Sequence, residues 1–256
     1  MIDSKAIIDP SANIASDVCI GPYSVIGPNV EIGAGSWLGP HVVITRNTKL
    51  GRNNKIYQFA SIGGDNQDKL ADTTETYLEI GDNNIFHEFV TVNRGSIKEN
   101  CVTKIGDDNF MMAYSHIGHD CIIGSNTIFA NGATLAGHVN VGDAATIGAF
   151  CAIHQFCNIG AYSFVARGAM VVQDVLPYLM VAGNDPKASG LNKVGLTRNG
   201  FSKADIRIIF KAYKVIFRES NTVEQAQKIL VELAKECSAV QAFIDGLNLA
   251  TRGIVR

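Results

Sequence analysis

Residues 117–148 read IGHDCIIGSNTIFANGATLAGHVNVGDAATIG, and an apolar side chain returns in them at every sixth position: Ile117, Ile123, Phe129, Leu135, Val141 and Ile147. Followed outward, the same phase runs unbroken from Ile105 to Val171. Upstream it begins at Ile8, passes through Ile14, Ile20, Ile26, Ile32, Leu38, Ile44, Leu50, Ile56 and Ile62, and returns at Ile80, Phe86 and Val92 before slipping by one residue. Four positions after many of these stands a small residue, among them Ser24, Ser36, Thr48, Ala60, Ser115, Cys121, Thr127, Ala133, Ala145, Cys151, Cys157 and Ser163. One large and one small inward residue per hexad suit a narrow tube with flat walls and tight corners. Glycine and asparagine at the remaining positions tolerate the backbone angles of those corners. The pattern predicts a parallel β-helix of hexapeptides, three to a triangular coil, so that residues 18 apart lie one above another. About ten coils at ~4.8 Å each give a prism roughly 45 Å long.

Two stretches break the hexads, GGDNQDKLADTTETYLE (63–79) and NRGSIKENCVTK (93–104). The first occupies one coil's worth of residues without the hexad pattern and is expected to leave the prism as a loop and return in register; long loops on a rigid scaffold are often functional. From residue 191 the period becomes helical, with Ile206, Ile209, Phe210, Tyr213, Val215, Ile216 and Phe217 followed by Val223, Ala226, Ile229, Leu230 and Leu233. Ser202 with Asp205, Thr222 with Gln225, and Ser238 with Gln241 read as helix N-termini. The expected organisation is therefore a β-helix over 1–190 and an α-helical domain over 191–256. The latter carries 11 Lys and Arg against 6 Asp and Glu, so the positive charge of the chain gathers at this end.

A net charge of −2 over 256 residues gives no field that would draw nucleic acid. The start MIDSKAIIDPSANIA lacks the basic and apolar runs of a secretion signal, and no apolar stretch approaches the ~20 residues that span a bilayer. Six cysteines without a CxxC pair read as reduced thiols, and the chain is expected in the cytoplasm. Cys121, Cys151 and Cys157 fall on inward positions and read as core filler.

The chain has six histidines, and the repeat places four of them. His119, Gly137, Gln155 and Gln173 form one column of the coil. His138 stands one place from Gly137 and His154 one place from Gln155, and His116 lies on the coil of His119. None of these is an inward position. Such a cluster can be solvated surface, metal donors or a catalytic base. Shared zinc sites in hexapeptide proteins need three histidines converging on one point, which this spacing does not obviously supply, so no metal is expected. A histidine titrating near 6.5 can take the proton of a sugar hydroxyl as that oxygen attacks an acyl group, typically 10²- to 10⁴-fold in rate. His119 suits that role, and glycine one coil up would let a backbone N–H approach an oxyanion. Asp120 can orient the ring only if the pair lies at a corner of the prism, because neighbours on a strand face opposite ways.

The hexads resemble those of the hexapeptide-repeat transferases, whose coil winds left-handed. More specifically, YQFASIG with NQD (57–68), VTVNRG (90–95), HIGHDCIIG (116–124), ATLAGHV (133–139), IHQFCNIGA (153–161), QDVLPY (173–178) and the terminal TRGIVR are similar to the UDP-N-acetylglucosamine acyltransferases that open lipid A synthesis. The resemblance implies transfer of a 3-hydroxyacyl chain from the 4'-phosphopantetheine of acyl carrier protein to the 3-position of UDP-N-acetylglucosamine. It also implies a homotrimer with sites between subunits, no bound cofactor or metal, and no membrane insertion. It makes His119 the base, Asp120 its helper and Gly137 the oxyanion donor. Gln67, Asp68 and His116 would contact sugar and phosphates; His138, His154 and Gln155 would line the donor and acyl groove; Asn192 and Arg198 would hold the nucleotide. Ala166 and Arg167 would set acyl length. Val194 and Asn199 stand where the family often has an acidic and a basic residue.

Overall fold

The computed structural model describes residues 1–67, 74–97 and 101–256. Between Ile7 and Val171 the chain is a stack of short strands, most of them two residues long. In each, one side chain points out and the next points in: Ile122 is exposed whereas Ile123 is 2% exposed. The strands pair in parallel with the predicted step of 18, as in Thr134 with Ala152 and Leu135 with Ile153. Among the described residues they form three sheets, here called A (nine strands, Ile7–Ile8 to Met170–Val171), B (eight, Asn13–Ile14 to Asn158–Ile159) and C (ten, Cys19–Ile20 to Lys187–Leu191). The chain visits A, B and C in turn, so each coil has an AB, a BC and a CA vertex. The coil is left-handed.

Vertex residues take the left-handed backbone region coil after coil, for example Asn47, Asp120 and His138 at AB and Tyr23, His41, Phe59, Phe89 and Tyr114 at CA. That conformation disfavours most side chains, which explains the asparagines and aspartates there. The five CA residues stack as an outward aromatic column, with ring centroids 4.9–5.3 Å apart.

The inward aliphatic column is buried throughout, from Ile20 to Val171, and the predicted small residues fill the remaining interior. Each such aliphatic contributes about 1.5–3 kcal/mol by leaving water. Burial pushes the Cys121 thiol up to about 12, so it packs as filler and not as a nucleophile. Three small slots hold asparagine instead, and these form an internal ladder. The Asn54 Oδ1 accepts from Asn84 N (2.9 Å), the Asn84 Oδ1 from Asn109 N (2.9 Å) and the Asn109 Oδ1 from Thr127 N (2.8 Å).

The first interruption comes back in register, as the sequence predicts. It is an insertion between consecutive strands of sheets A and B: Lys49 pairs with Glu79, 30 residues on instead of 18. The second lengthens the step from Thr91 to His116 to 25. Both leave the prism at the AB vertex, on the two coils that precede His119.

Leu179–Ala182 continues sheet C beside Phe164–Val165 and forms an antiparallel pair with Lys187–Leu191. Four helices follow, α1 (Lys193–Arg198), α2 (Lys203–Phe217), α3 (Val223–Glu236) and α4 (Gln241–Leu249). Ser202 caps α2 and Thr222 with Gln225 forms a capping box on α3, as the sequence predicts. Ser238 does not cap a helix. It lies inside a short 3₁₀ turn, Ser238–Val240, that leads straight into α4, so the chain never takes the extended entry a cap requires. The terminal TRGIVR folds back onto the last coil, where the buried Asp174 carboxylate accepts from Thr251 N (3.0 Å), Arg252 N (3.2 Å) and Asn158 N (2.7 Å). Among the described residues no helix is long and apolar enough to cross a membrane.

Candidate functional site

His119 and Asp120 occupy an AB vertex, with Asp120 in the left-handed region at φ 57°. The corner turns both side chains to one side, so adjacent residues meet: His119 Nδ1 lies 2.8 Å from Asp120 Oδ2. The carboxylate is fully buried, and Ser96 N donates to both of its oxygens at 3.0 Å. Asp120 N in turn donates to Thr103 Oγ1 (2.8 Å). Burial pushes the Asp120 carboxyl up, but the His119 ring, the Ser96 backbone and hydroxyl, and the His138 charge outweigh it and hold the group below the usual carboxylate range. An ionised carboxylate only accepts, so the shared proton sits on Nδ1 and, in the imidazole form of the ring, Nε2 carries the lone pair. Because the folded value lies below the unfolded one, these bonds stabilise the fold at neutral pH. That contribution is lost as pH falls through the depressed value.

Gly137 lies one coil up against the same ring. A Cβ there would stand 2.5 Å from His119 Cε1 and 2.6 Å from Nε2. Gly137 N takes no part in the coil's backbone hydrogen bonds among the described residues. His138 meets the ring of His119 edge-on at 4.9 Å and is itself stacked on Phe156 at 4.5 Å. Its Nε2 is 3.9 Å from Asp120 Oδ2, and one donor atom each of His119, Asp120 and His138 lies within 4.8 Å of the others. Two imidazoles and one carboxylate are a chemically reasonable donor set for zinc.

A groove of about 420 Å³ runs along sheet A beside this vertex. Gln67, His116 and His154 line it, together with Thr134, Ala152 and the exposed Met170, which stands at its far end. The ring of His116 shares a hydrogen with Thr91 Oγ1 (2.7 Å), and burial, then the His119 charge, lower its pKa, which favours the neutral ring. Gln155 is exposed at the AB vertex, between His154 and Phe156.

The other candidates lie elsewhere on the chain. Asn192 and Arg198 line a hollow of about 380 Å³ over sheet C with Ile128, Thr146, Phe164 and Met180. The Asn192 side chain is engaged at both ends, accepting from Gly195 N (3.0 Å) as the cap of α1 and donating to Tyr162 O (2.9 Å). Ala166 and the exposed Arg167 sit at the CA vertex. Asp68 lies outside the described residues. Sequence reading missed Ser96, Thr103 and Phe156 around the dyad, and Met170 in the groove. Met170 and Phe156 had a signal, as the residues one coil above Ala152 and His138; Ser96 and Thr103 lie in the second interruption and had none.

A family profile described as "Udp N-acetylglucosamine O-acyltransferase; Domain 2" matches residues 174–255, and one for the bacterial transferase hexapeptide matches 103–137. The chain is 50% identical over 256 residues to the acyl-[acyl-carrier-protein]--UDP-N-acetylglucosamine O-acyltransferase of Pseudomonas aeruginosa, covering 100% of this chain and 99% of that one. It superposes on the UDP-N-acetylglucosamine acyltransferase of Francisella novicida with a TM-score of 0.97 and 42% identity, covering 100% of this chain and 94% of that one. For the UDP-N-acetylglucosamine O-acyltransferase of Moraxella catarrhalis the TM-score is 0.98 with 42% identity, and coverage is 100% and 99%.

Proposed function

The chain belongs to the UDP-N-acetylglucosamine O-acyltransferase family, and from that premise we propose that it moves a 3-hydroxyacyl chain from acyl carrier protein to the 3-position of UDP-N-acetylglucosamine. His119 acts as the base, without a metal, and the reaction opens lipid A synthesis in the cytoplasm. The observation that carries this reading is the His119 Nδ1 to Asp120 Oδ2 contact of 2.8 Å. It leaves Nε2 to take the proton of the acceptor hydroxyl as its oxygen attacks the thioester carbonyl on 4'-phosphopantetheine. The Gly137 N–H faces the oxyanion that forms. Collapse of the tetrahedral intermediate breaks the C–S bond, and Nε2–H returns the proton to the departing thiolate.

Gln67, His116 and Asp68 then belong to the acceptor, and His138, His154 and Gln155 to the donor. Asn192 and Arg198 hold the nucleotide from a neighbouring copy, because their hollow lies over sheet C while the groove lies on sheet A. Sheet B, with its exposed Glu31–Lys49 and Glu79–Lys104 ion pairs, suits the solvent side of a homotrimer. The test is mass spectrometry of the product from UDP-N-acetylglucosamine and a panel of 3-hydroxyacyl carriers in excess chelator. An acylated sugar nucleotide supports the reading. Absence of transfer, or activity restored only by zinc, overturns it in favour of a metal site at His119, Asp120 and His138.

Two variants test the finer assignments. Arg167→Gly is expected to shift preference towards longer donors, since each buried CH₂ contributes ~0.8 kcal/mol, about fourfold in binding. An unchanged length profile assigns the stop to another residue, with Met170 at the end of the groove the first candidate. Reversing the exposed Lys203, Arg207 and Lys211 of α2 to glutamate is expected to raise the KM for the acidic acyl carrier by roughly tenfold at low salt and to flatten its salt dependence. A KM that does not move places donor docking away from α2.

A further inference from the structure

The buried charge of Arg94 has no part in the mechanism above. Its side chain is 1% exposed and is the largest among the fully buried ones of the described residues. A guanidinium inside a protein costs more to desolvate than an apolar side chain of the same volume, so its presence reflects what its fork holds in place. Nε donates to Thr76 Oγ1 (3.2 Å), Nη1 to Thr45 Oγ1 (3.0 Å) and to Gly63 O, and Nη2 pairs with the Asp65 carboxylate. Gly63 and Asp65 stand where the first insertion leaves the prism, and Thr76 where it returns. One planar group therefore ties both ends of that insertion to the preceding coil through Thr45.

The backbone around Arg94 extends the connection. Arg94 N donates to Gly64 O (2.9 Å), Asn93 Nδ2 to Asp65 O (2.9 Å) and Asn66 Nδ2 to Gly95 O (3.4 Å). Two residues after Arg94, Ser96 N makes the bonds to Asp120 described above. Asn93 to Ser96 is thus a strut. One side holds the segment that runs directly into Gln67, and the other holds the carboxylate that orients His119.

We infer that Arg94 is a positioning residue for the acceptor: through Asp65, Gly63 and Thr76 it fixes the segment leading to Gln67 relative to the His119–Asp120 pair. The inference rests on the reading of Gln67 as an acceptor contact. It predicts a defect confined to one substrate, which a role in stability alone would not produce. Lysine at this position keeps the charge but not the planar fork, so it cannot span the four partners together. Arg94→Lys is expected to raise the KM for UDP-N-acetylglucosamine, and its Kd by calorimetry, by roughly tenfold, with the donor KM unchanged. Asp65→Asn, made on the exposed side of the pair, is expected to move the same two quantities by a smaller factor, and it decides the question if Arg94→Lys fails to fold. A normal acceptor KM and Kd in these variants, with loss only of melting temperature or of folded protein, overturns the inference. Gln67→Ala separates the two failures. A raised acceptor KM there with normal values in the Arg94 and Asp65 variants removes Arg94 from substrate positioning. A normal KM there with raised values in the other two supports the strut and removes Gln67 as the contact it serves.

Discussion

His119→Ala is expected to fold as the parent protein does and to lose about 10²- to 10⁴-fold in turnover, the usual contribution of a positioned general base. The side chain is outward and partly exposed, with the buried aliphatic column behind it, so the core does not feel its loss. Alanine leaves no group that can take the acceptor proton, while Gly137 N and both substrate-binding surfaces persist. The defect should therefore fall on kcat with little change in either KM. Steady-state rates with saturating donor and acceptor, beside thermal melts of both proteins, measure this. Turnover within a few-fold of the parent would take His119 out of the chemistry. A melting temperature lowered by many degrees would mean that the ring supports the vertex instead.

Asp120→Asn provides a contrast with this variant. The amide can donate as well as accept, so it no longer fixes the proton on Nδ1, and the base is present but free to present the wrong nitrogen. Ser96 N would lose a charged acceptor at the same time.

The prism was legible because its signal is local and repeated: an inward aliphatic every six residues needs no knowledge of distant chain. The same regularity placed Gly137 above His119, and the ring does lie against that glycine. Whether Asp120 reaches the ring depended on its standing at a corner, which its left-handed backbone resolves. What the repeat could not carry was anything made where it is interrupted. Ser96 meets His119's partner, and Arg94 two residues before it meets Asp65, through two insertions at one vertex, and no spacing rule relates residues 65, 94 and 120. The asparagine ladder was hidden for a different reason. Asn54, Asn84 and Asn109 look like turn residues by type, and only the backbone donors of the next coil make them suitable for the interior. Ser238 shows the converse, a capping pattern in sequence that the chain passes through in a 3₁₀ turn.

Gly137→Ala is expected to cost roughly 10²-fold in kcat/KM, though it adds a single methyl group on the prism surface. That methyl would stand 2.5 Å from His119 Cε1, 2.6 Å from Nε2 and 3.0 Å from Nδ1, so the ring must tilt away by something on the order of 1 Å. The ring has little room to do so without loss, because Nδ1 is held by Asp120 at 2.8 Å and its flank meets the edge of His138 at 4.9 Å. Tilting breaks the bond that fixes the tautomer, moves Nε2 off the acceptor oxygen and crowds the Gly137 N–H. A double-mutant cycle distinguishes this from damage to the coil. In a His119→Ala background there is no ring to displace, so adding Gly137→Ala should lower the residual rate by only a few-fold, through the crowded N–H alone. If the glycine substitution costs the same factor with and without the histidine, it acts through the backbone of the vertex and not through the base.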